Sequence, residues 1–336
     1  MFVLTVYLDQ NKWIDLARAA TGHPQGARFV ETLAVLRAAA DDGRARFPLS
    51  LAHYYETGKQ GDLRKREDLA ATMMRLAGML RIAPPHVIAP WEIRRALIDT
   101  FGLPIPVEEL DLFGSGIAHA AASPALSYVA PAEYLGVPLP AHVQQELQRR
   151  AEPEFERVIL AGATPDGMPD ELRIVLHDMK NLTDDRFVDG QRSVAEALKK
   201  LGRGRLNDVM VATAVADIID PLLRISRELG IAFNDVLDRM THLVEAIPSR
   251  WVEMKLRHVR QANPQKAWSG NDLNDVTALA IAVPYCDIVV TEKSWASMLT
   301  DAKVPARFRH VVTASLDDLV RYLEAAPQPR AEDGQG

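Results

Sequence analysis

Asn271-Asp-Leu-Asn-Asp-Val-Thr-Ala-Leu-Ala-Ile-Ala-Val-Pro-Tyr-Cys-Asp-Ile-Val-Val-Thr-Glu292 is the stretch whose reading decides the fold. Leu273, Val276, Ala280 and Val283 recur at spacings of three and four, the period of a helix with one apolar stripe. Asn271 is a good cap residue, so Asp272 and Asp275 fall in or near the first turn, as neighbours at one edge of that stripe. Unpaired backbone N–H groups there favour negative charge. Pro284 is expected to stop the helix. Asp287-Ile-Val-Val-Thr291 then reads as a short buried strand. Glu292 follows just past its C-terminal end, the edge of an open α/β sheet where sites form. Two repelling carboxylates and a third at a strand end are costly unless a cation lies between them. An all-oxygen set of this kind suits Mg2+ or Mn2+ rather than zinc. The same acids also fit a plain helix N-terminus that complements the dipole, so the rest of the chain has to decide.

The chain has 336 residues and is 48% hydrophobic, enough for a sizeable core. Its single cysteine, Cys286, excludes a disulfide framework and fits a reducing, cytoplasmic setting. Placed between a helix end and a buried strand, Cys286 reads as a packed side chain and not a nucleophile. No apolar run approaches the roughly 18 residues of a membrane span, and the first residues enter a strand directly, with no signal peptide expected. A net charge of −6 argues against a surface coated in basic residues. A local basic groove beside an acidic site remains compatible with it.

From the N-terminus, Phe2 to Leu8 is apolar and β-rich on nearly every residue, as in a central parallel strand. It runs into Asp9-Gln-Asn11 and a helix beginning near Lys12. Asp9 therefore stands at the same sheet edge as Glu292, although Asp9 or Asn11 also suits a simple helix cap. A helix over 27–42, a short strand at Arg46 to Ser50 and a helix capped by Ser50 follow. That helix carries His53 and Glu56 on one face; His53 reads as a half-buried core histidine. After a further helix with Leu69, Met73, Leu76 and Leu80 on its stripe, Arg81 to Ile88 suggests a third strand broken by Pro84-Pro85. Pro90 then opens another helix, which puts Glu92 near a strand-to-helix turn.

Residues 99–247 read as a mostly helical insertion without strands, in which Phe113-Gly-Ser-Gly116 lacks the spacing and lysine of a phosphate loop and reads as a turn. Lys199 to Arg205 is its strongest basic run. A helix from Pro248 then carries Arg250, Lys255, Arg257, His258 and Arg260, with Lys266 after it, and leads straight into Asp272 and Asp275. Cations beside an acidic site are what a polyanionic substrate requires, and they also suit a solvated helix face. Arg307 to Val312 is expected as the last strand, Ser315 caps a closing helix, and 326–336 reads as a disordered tail.

Four places together resemble the PIN-like nuclease family: Tyr7-Leu-Asp-Gln-Asn11 after the first strand, Glu56 in the helix after the second, Asn271-Asp-Leu-Asn-Asp275, and Val289-Val-Thr-Glu-Lys-Ser-Trp295. The resemblance covers about 1–98 and 248–325. It departs from the family in the acid near the final threonine, here Glu292 in place of an aspartate or asparagine, and in the large insertion. It implies a three-layer α/β/α fold around a central parallel sheet of about five strands. It further implies metal-dependent endonucleolytic cleavage of phosphodiester bonds, in RNA ahead of DNA, in a toxin, defence or RNA-processing role. Asp9, Glu56, Asp272 and Asp275 would be the catalytic acids and ligands of Mg2+ or Mn2+, with Glu292 as a further ligand. Asn11, Arg250, Lys255, Arg257, Thr291 and Lys293 would hold the nucleic acid. On that reading Asp272→Asn stops cleavage and spares the fold. Two rivals stand beside it. One is a catalytically inactive PIN-like module that binds nucleic acid or protein. The other is a small-molecule phosphohydrolase, disfavoured because Asp9-Gln-Asn lacks a second aspartate two residues on. A homo-oligomer or a regulatory partner protein also fits the sequence.

Overall fold

Period-two alternation in three short apolar strands sets the layers. In the computed structural model, β1 (Leu4–Leu8) sends Val6 and Leu8 into one core and Tyr7 into the other. A later strand, Ile288–Val290, divides the same way, with Ile288 and Val290 on one side and Val289 on the other. A sheet whose strands are apolar on both faces has to be covered on both, and helices do this. The backbone is described for residues 3–162, 170–262 and 268–325, and side chains for the same residues apart from 170–185 and 203.

In chain order, β1 leads to α1 (Gln10–Ala20), α2 (Val30–Asp41), β2 (Ala45–Arg46), α3 (Leu51–Gly58), α4 (Leu63–Ala77), β3 (Leu80–Ile82) and α5 (Pro85–Phe101). The middle of the chain forms β4 (Phe113–Ser115), α6 (Gly116–Ala120), β5 (Glu133–Tyr134), β6 (Val137–Pro138), α7 (Ala141–Leu160), α8 (Asp170–Leu201), α9 (Leu206–Ala216), α10 (Ile219–Glu228), α11 (Phe233–Asp238) and α12 (Met240–Ala246). The chain closes with α13 (Pro248–Ala262), α14 (Gly270–Tyr285), β7 (Ile288–Val290), α15 (Lys293–Asp301), α16 (Val304–Phe308), β8 (Val311–Thr313) and α17 (Leu316–Ala325).

Among the described residues the central parallel sheet has four strands in the order β2-β1-β7-β8, one fewer than expected. The would-be fifth, β3, touches that side only through a single parallel bridge from Leu49 to Arg81. Its own ladder is antiparallel to β4. Phe113-Gly-Ser115 is thus a strand and not a turn, and residues 99–247 are not free of strands. The second half of the expected third strand, His86 to Ile88, is helical instead. Pro84 caps α5 and Pro85 occupies its first turn, where a missing N–H costs nothing. The helix then runs through Pro90. Likewise α14 starts one residue before Asn271, with Ser269 as its cap, and runs one residue past Pro284. The expected tail 326–336 and Lys266 lie outside the described residues.

Residues of the insertion share the cores of the sheet. Ile117, Ala120 and Leu160 pack with Val6, Leu8 and Val290. Val194, Leu198, Met210 and Ala214 pack with Tyr7, Val289 and α14. The seam with α3 is close: a Cβ on Gly162, at φ +67°, would lie 2.7 Å from the Gly58 Cα. Among the described residues no helix is long and apolar enough to cross a membrane.

Candidate active site

β2 lies on one side of β1 and β7 on the other, so the chain order reverses at β1. Outside the C-terminal ends of strands at such a point is where an open α/β sheet leaves a crevice. Leu8 is paired with Val290. That register sets Asp9 beside Thr291, whose hydroxyl donates to Asp9 Oδ2 at 2.7 Å. Asp9 also caps α1 by accepting from the Gln10 amide at 2.8 Å. Burial pushes the Asp9 carboxyl up, and these donors, with the Glu292 amide and the Lys12 charge, work against the rise.

Glu56 arrives on α3 and Asp275 on α14. Burial, followed by the charges of Asp9, Asp275 and Glu292, pushes Glu56 up to about 8, against the opposing Lys59. Burial and then Asp9 push Asp275 up to about 7, with Glu292 and Asp272 adding to the rise. Trp295 Nε1 donates to Asp275 Oδ2 at 2.9 Å and holds the side chain in place. Lys59 Nζ donates to Asn271 Oδ1 at 2.9 Å and ties the end of α3 to the start of α14. Four acids from four separate elements therefore share one field at the sheet edge, and it helps to push two of them, Asp275 and Glu56, well above the usual carboxylate range.

Asp272 does something else. It is buried, its Oδ2 lies 2.9 Å from Arg260 Nη2, and it accepts from the Ser269 amide at 2.7 Å and the Ser269 hydroxyl at 2.8 Å. It completes a capping box with Ser269 and sits in a buried ion pair. The expectation that Asp272→Asn spares the fold is therefore replaced. Losing the charge at the cap and in the pair is expected to cost about 1–4 kcal/mol, measured by urea unfolding of the variant against wild type.

The expected cationic face is largely committed to internal pairs. Arg257 Nη1 lies 2.9 Å from Asp217, and its other nitrogen bonds Glu253. Arg250 Nη1 lies 2.8 Å from Glu253. With side chains only 16% and 10% exposed, Arg250 and Arg257 join α13 to the end of α9 and do not face an open surface. Lys255 lies over the Trp251 ring at 5.5 Å. Lys293 is exposed in the first turn of α15, immediately after Glu292. Asn11 stands in the first turn of α1 with its Oδ1 buried and without a hydrogen-bond partner among the described residues.

Glu92, expected near a strand-to-helix turn, lies inside α5 and has a structural place: it is buried and accepts from the Ser249 amide at 3.1 Å and from Tyr285. His53, expected to be half-buried, is fully buried, bonds Leu8 O at 2.9 Å, and is lowered by burial to about 4. Missed were Trp295, which holds Asp275, and Lys59, whose charge opposes the rise of Glu56. Only their nearness to Glu292 and Glu56 along the chain hinted at them.

The donor set fits a hard divalent ion in chemistry: carboxylates of Asp9, Glu56, Asp275 and Glu292, and the orphaned Asn11 oxygen nearby. As the side chains stand, no group of three or more His, Cys, Asp or Glu among the described residues is arranged to hold one. Binding an ion would need these side chains to rearrange. Comparison with family models, with curated proteins and with solved structures finds no significant match.

Proposed function

We propose that this protein is a Mg2+- or Mn2+-dependent endonuclease that hydrolyses phosphodiester bonds in RNA, using a PIN-like set of acids. The observation that carries the reading is the convergence of Asp9, Glu56, Asp275 and Glu292 on one field at the point where strand order reverses. Asp9, Glu56 and Asp275 would hold the ion, with Glu292 at the rim. A bound divalent ion supplies positive charge to the phosphate and lowers the pKa of water.

The chain does the rest. Thr291 and the Gln10 amide fix the Asp9 carboxylate, and Trp295 fixes Asp275. Glu56, which burial and the charges of Asp9 and Asp275 push up to about 8 in the apo protein, would give up its proton on binding the ion. Lys293, exposed directly after Glu292, would meet a backbone phosphate entering past that acid. The phosphate contacts expected of Arg250 and Arg257 are not part of the proposal, because those guanidinium groups hold Asp217 and Glu253.

The test is cleavage of end-labelled RNA with Mg2+ or Mn2+, beside a chelator control and the Glu56→Gln variant. Metal-dependent cutting by wild type, lost in the variant, is expected. A parallel melting series should show stabilisation by divalent ions approaching about 2.7 kcal/mol at a hundredfold excess over Kd. No cutting and no stabilisation would leave the inactive binding module as the better account.

A further inference from the structure

β1 outruns its neighbour. Its ladder with β2 ends at Thr5 and Arg46, while that with β7 runs on to Leu8 and Val290. Next to that end the Asp9 amide donates to Val290 O at 2.9 Å, toward β7. The Leu8 carbonyl has no strand partner on the β2 side, and a buried carbonyl needs a donor. His53, in the first turn of α3, supplies it: its Nε2 lies 2.9 Å from Leu8 O. Its Nδ1 accepts from the Ser50 amide at 2.9 Å and so completes the cap of α3. An amide N–H can only donate, so Nδ1 carries no proton and Nε2 carries one.

The ring is buried, with the Tyr7 ring centroid 5.2 Å and the Trp13 centroid 6.4 Å away. A second tie runs between the same two stretches, from Gln10 Nε2 to Thr57 Oγ1 at 3.0 Å. Leu8 and Gln10 flank Asp9 in the chain. His53 stands one turn before Glu56 on α3, and Thr57 directly after it.

We propose that His53 is a positioning residue: by tying the end of β1 to the first turn of α3, it sets the spacing of Asp9 and Glu56. The proposal rests on the nuclease reading for what the two acids do, whereas the tie itself can be measured without metal or RNA. Glutamine and asparagine separate this role from capping alone. Asparagine places an oxygen where Nδ1 lies, so it keeps the cap and cannot reach Leu8. Glutamine is long enough to accept from the Ser50 amide and donate to Leu8 O. The Gln10–Thr57 bond stays in both variants and keeps α3 docked.

The experiment compares wild type, His53→Asn and His53→Gln by amide hydrogen exchange of the metal-free protein and by cleavage of end-labelled RNA. His53→Asn is expected to speed exchange by about tenfold or more over residues 8–12 and 53–57 while Ile288–Val290 stays protected, and His53→Gln to stay near wild type. Cleavage should follow, with kcat down by about tenfold to a hundredfold in His53→Asn, KM unchanged, and recovery in His53→Gln. Equal exchange in wild type and folded His53→Asn, or equal effects of the two substitutions, overturns the tie. Full kcat in a loosened His53→Asn overturns the positioning role. Loosening without any cutting by wild type sinks the nuclease reading and leaves the tie standing. A long-range 1H–15N spectrum of histidine-labelled wild type needs no variant to fold. It should show His53 protonated on Nε2 with that proton shielded from exchange, and a proton on Nδ1 overturns the proposal.

Discussion

Asp275→Asn is expected to reduce metal-dependent RNA cleavage at least a hundredfold and, at pH 8, to make the apo protein more stable than wild type. The first half follows if Asp275 helps to hold the ion. The second half follows from electrostatics alone. Asparagine keeps an oxygen to accept from Trp295 Nε1, so the local geometry survives. It removes a carboxyl that burial and Asp9 push up to about 7, and relieves Glu56, which burial, Asp9 and Asp275 push up to about 8.

The sign of the pH dependence is fixed by those directions. Both carboxyls bind protons more tightly in the folded chain than in the unfolded one, where they titrate near their ordinary values of about 4. Between about pH 4 and pH 8 the folded state holds more protons, so stability falls as pH rises and the full penalty is present above about pH 8. Neutralising Asp275 should recover about 1–3 kcal/mol there and close to nothing at pH 4. Urea unfolding of wild type and variant at pH 4.5, 6, 7 and 8 measures it. A difference that does not grow with pH would mean the acids are not coupled.

The other large effect lies away from the chemistry. Glu156→Ala is expected to destabilise the protein by about 3–5 kcal/mol. Glu156, on α7, is buried, with Oε1 lying 2.7 Å from Nη2 of the wholly buried Arg81. Its carboxylate also accepts from Tyr54 and, at 2.9 Å, from the Ile117 amide. Removing it leaves the Arg81 charge in the core with only neutral acceptors: the backbone oxygens of Gly78 and Leu80, at 3.0 and 2.9 Å, the Met74 sulfur at 3.2 Å and the Tyr54 hydroxyl. Glu156→Gln keeps an acceptor and should cost less. Replacing the pair together by Met and Leu should restore much of the loss, because a buried pair is costly to break and far cheaper to remove whole. Chemical unfolding of the three variants decides, and a Glu156→Ala loss below about 1 kcal/mol would rule out the pair as a structural anchor. Tyr54 sits two residues before Glu56, so loosening this anchor should also lower cleavage.

Local pattern was enough to place much of the site. Apolar runs at Leu4–Leu8 and Ile288–Val290 mark strands buried on both faces, and acids just past their ends mark the sheet edge. Helical spacing put Asp275 on α14, and Ser50 announced the helix that carries Glu56. These signals lie within a few residues of one another, so the chain displays them without its fold. Partners far apart in sequence carry no such mark. Asp272 looked like Asp275 until Arg260 was seen against it. Arg250 and Arg257 looked like a free cationic face until Asp217, on a different helix, was found beneath them. Likewise β3 went to β4 and not into the central sheet, because backbone N–H groups pair with whatever edge packing brings near. By itself the sequence determined the two central strands, the helices that carry Glu56 and Asp275, and the acids that end the strands, but neither β4 nor the helical start of α5. Only the tertiary structure decided which charges are neutralised by a partner and which are left to share one field, because burial and Coulomb energy depend on distance in space and not along the chain.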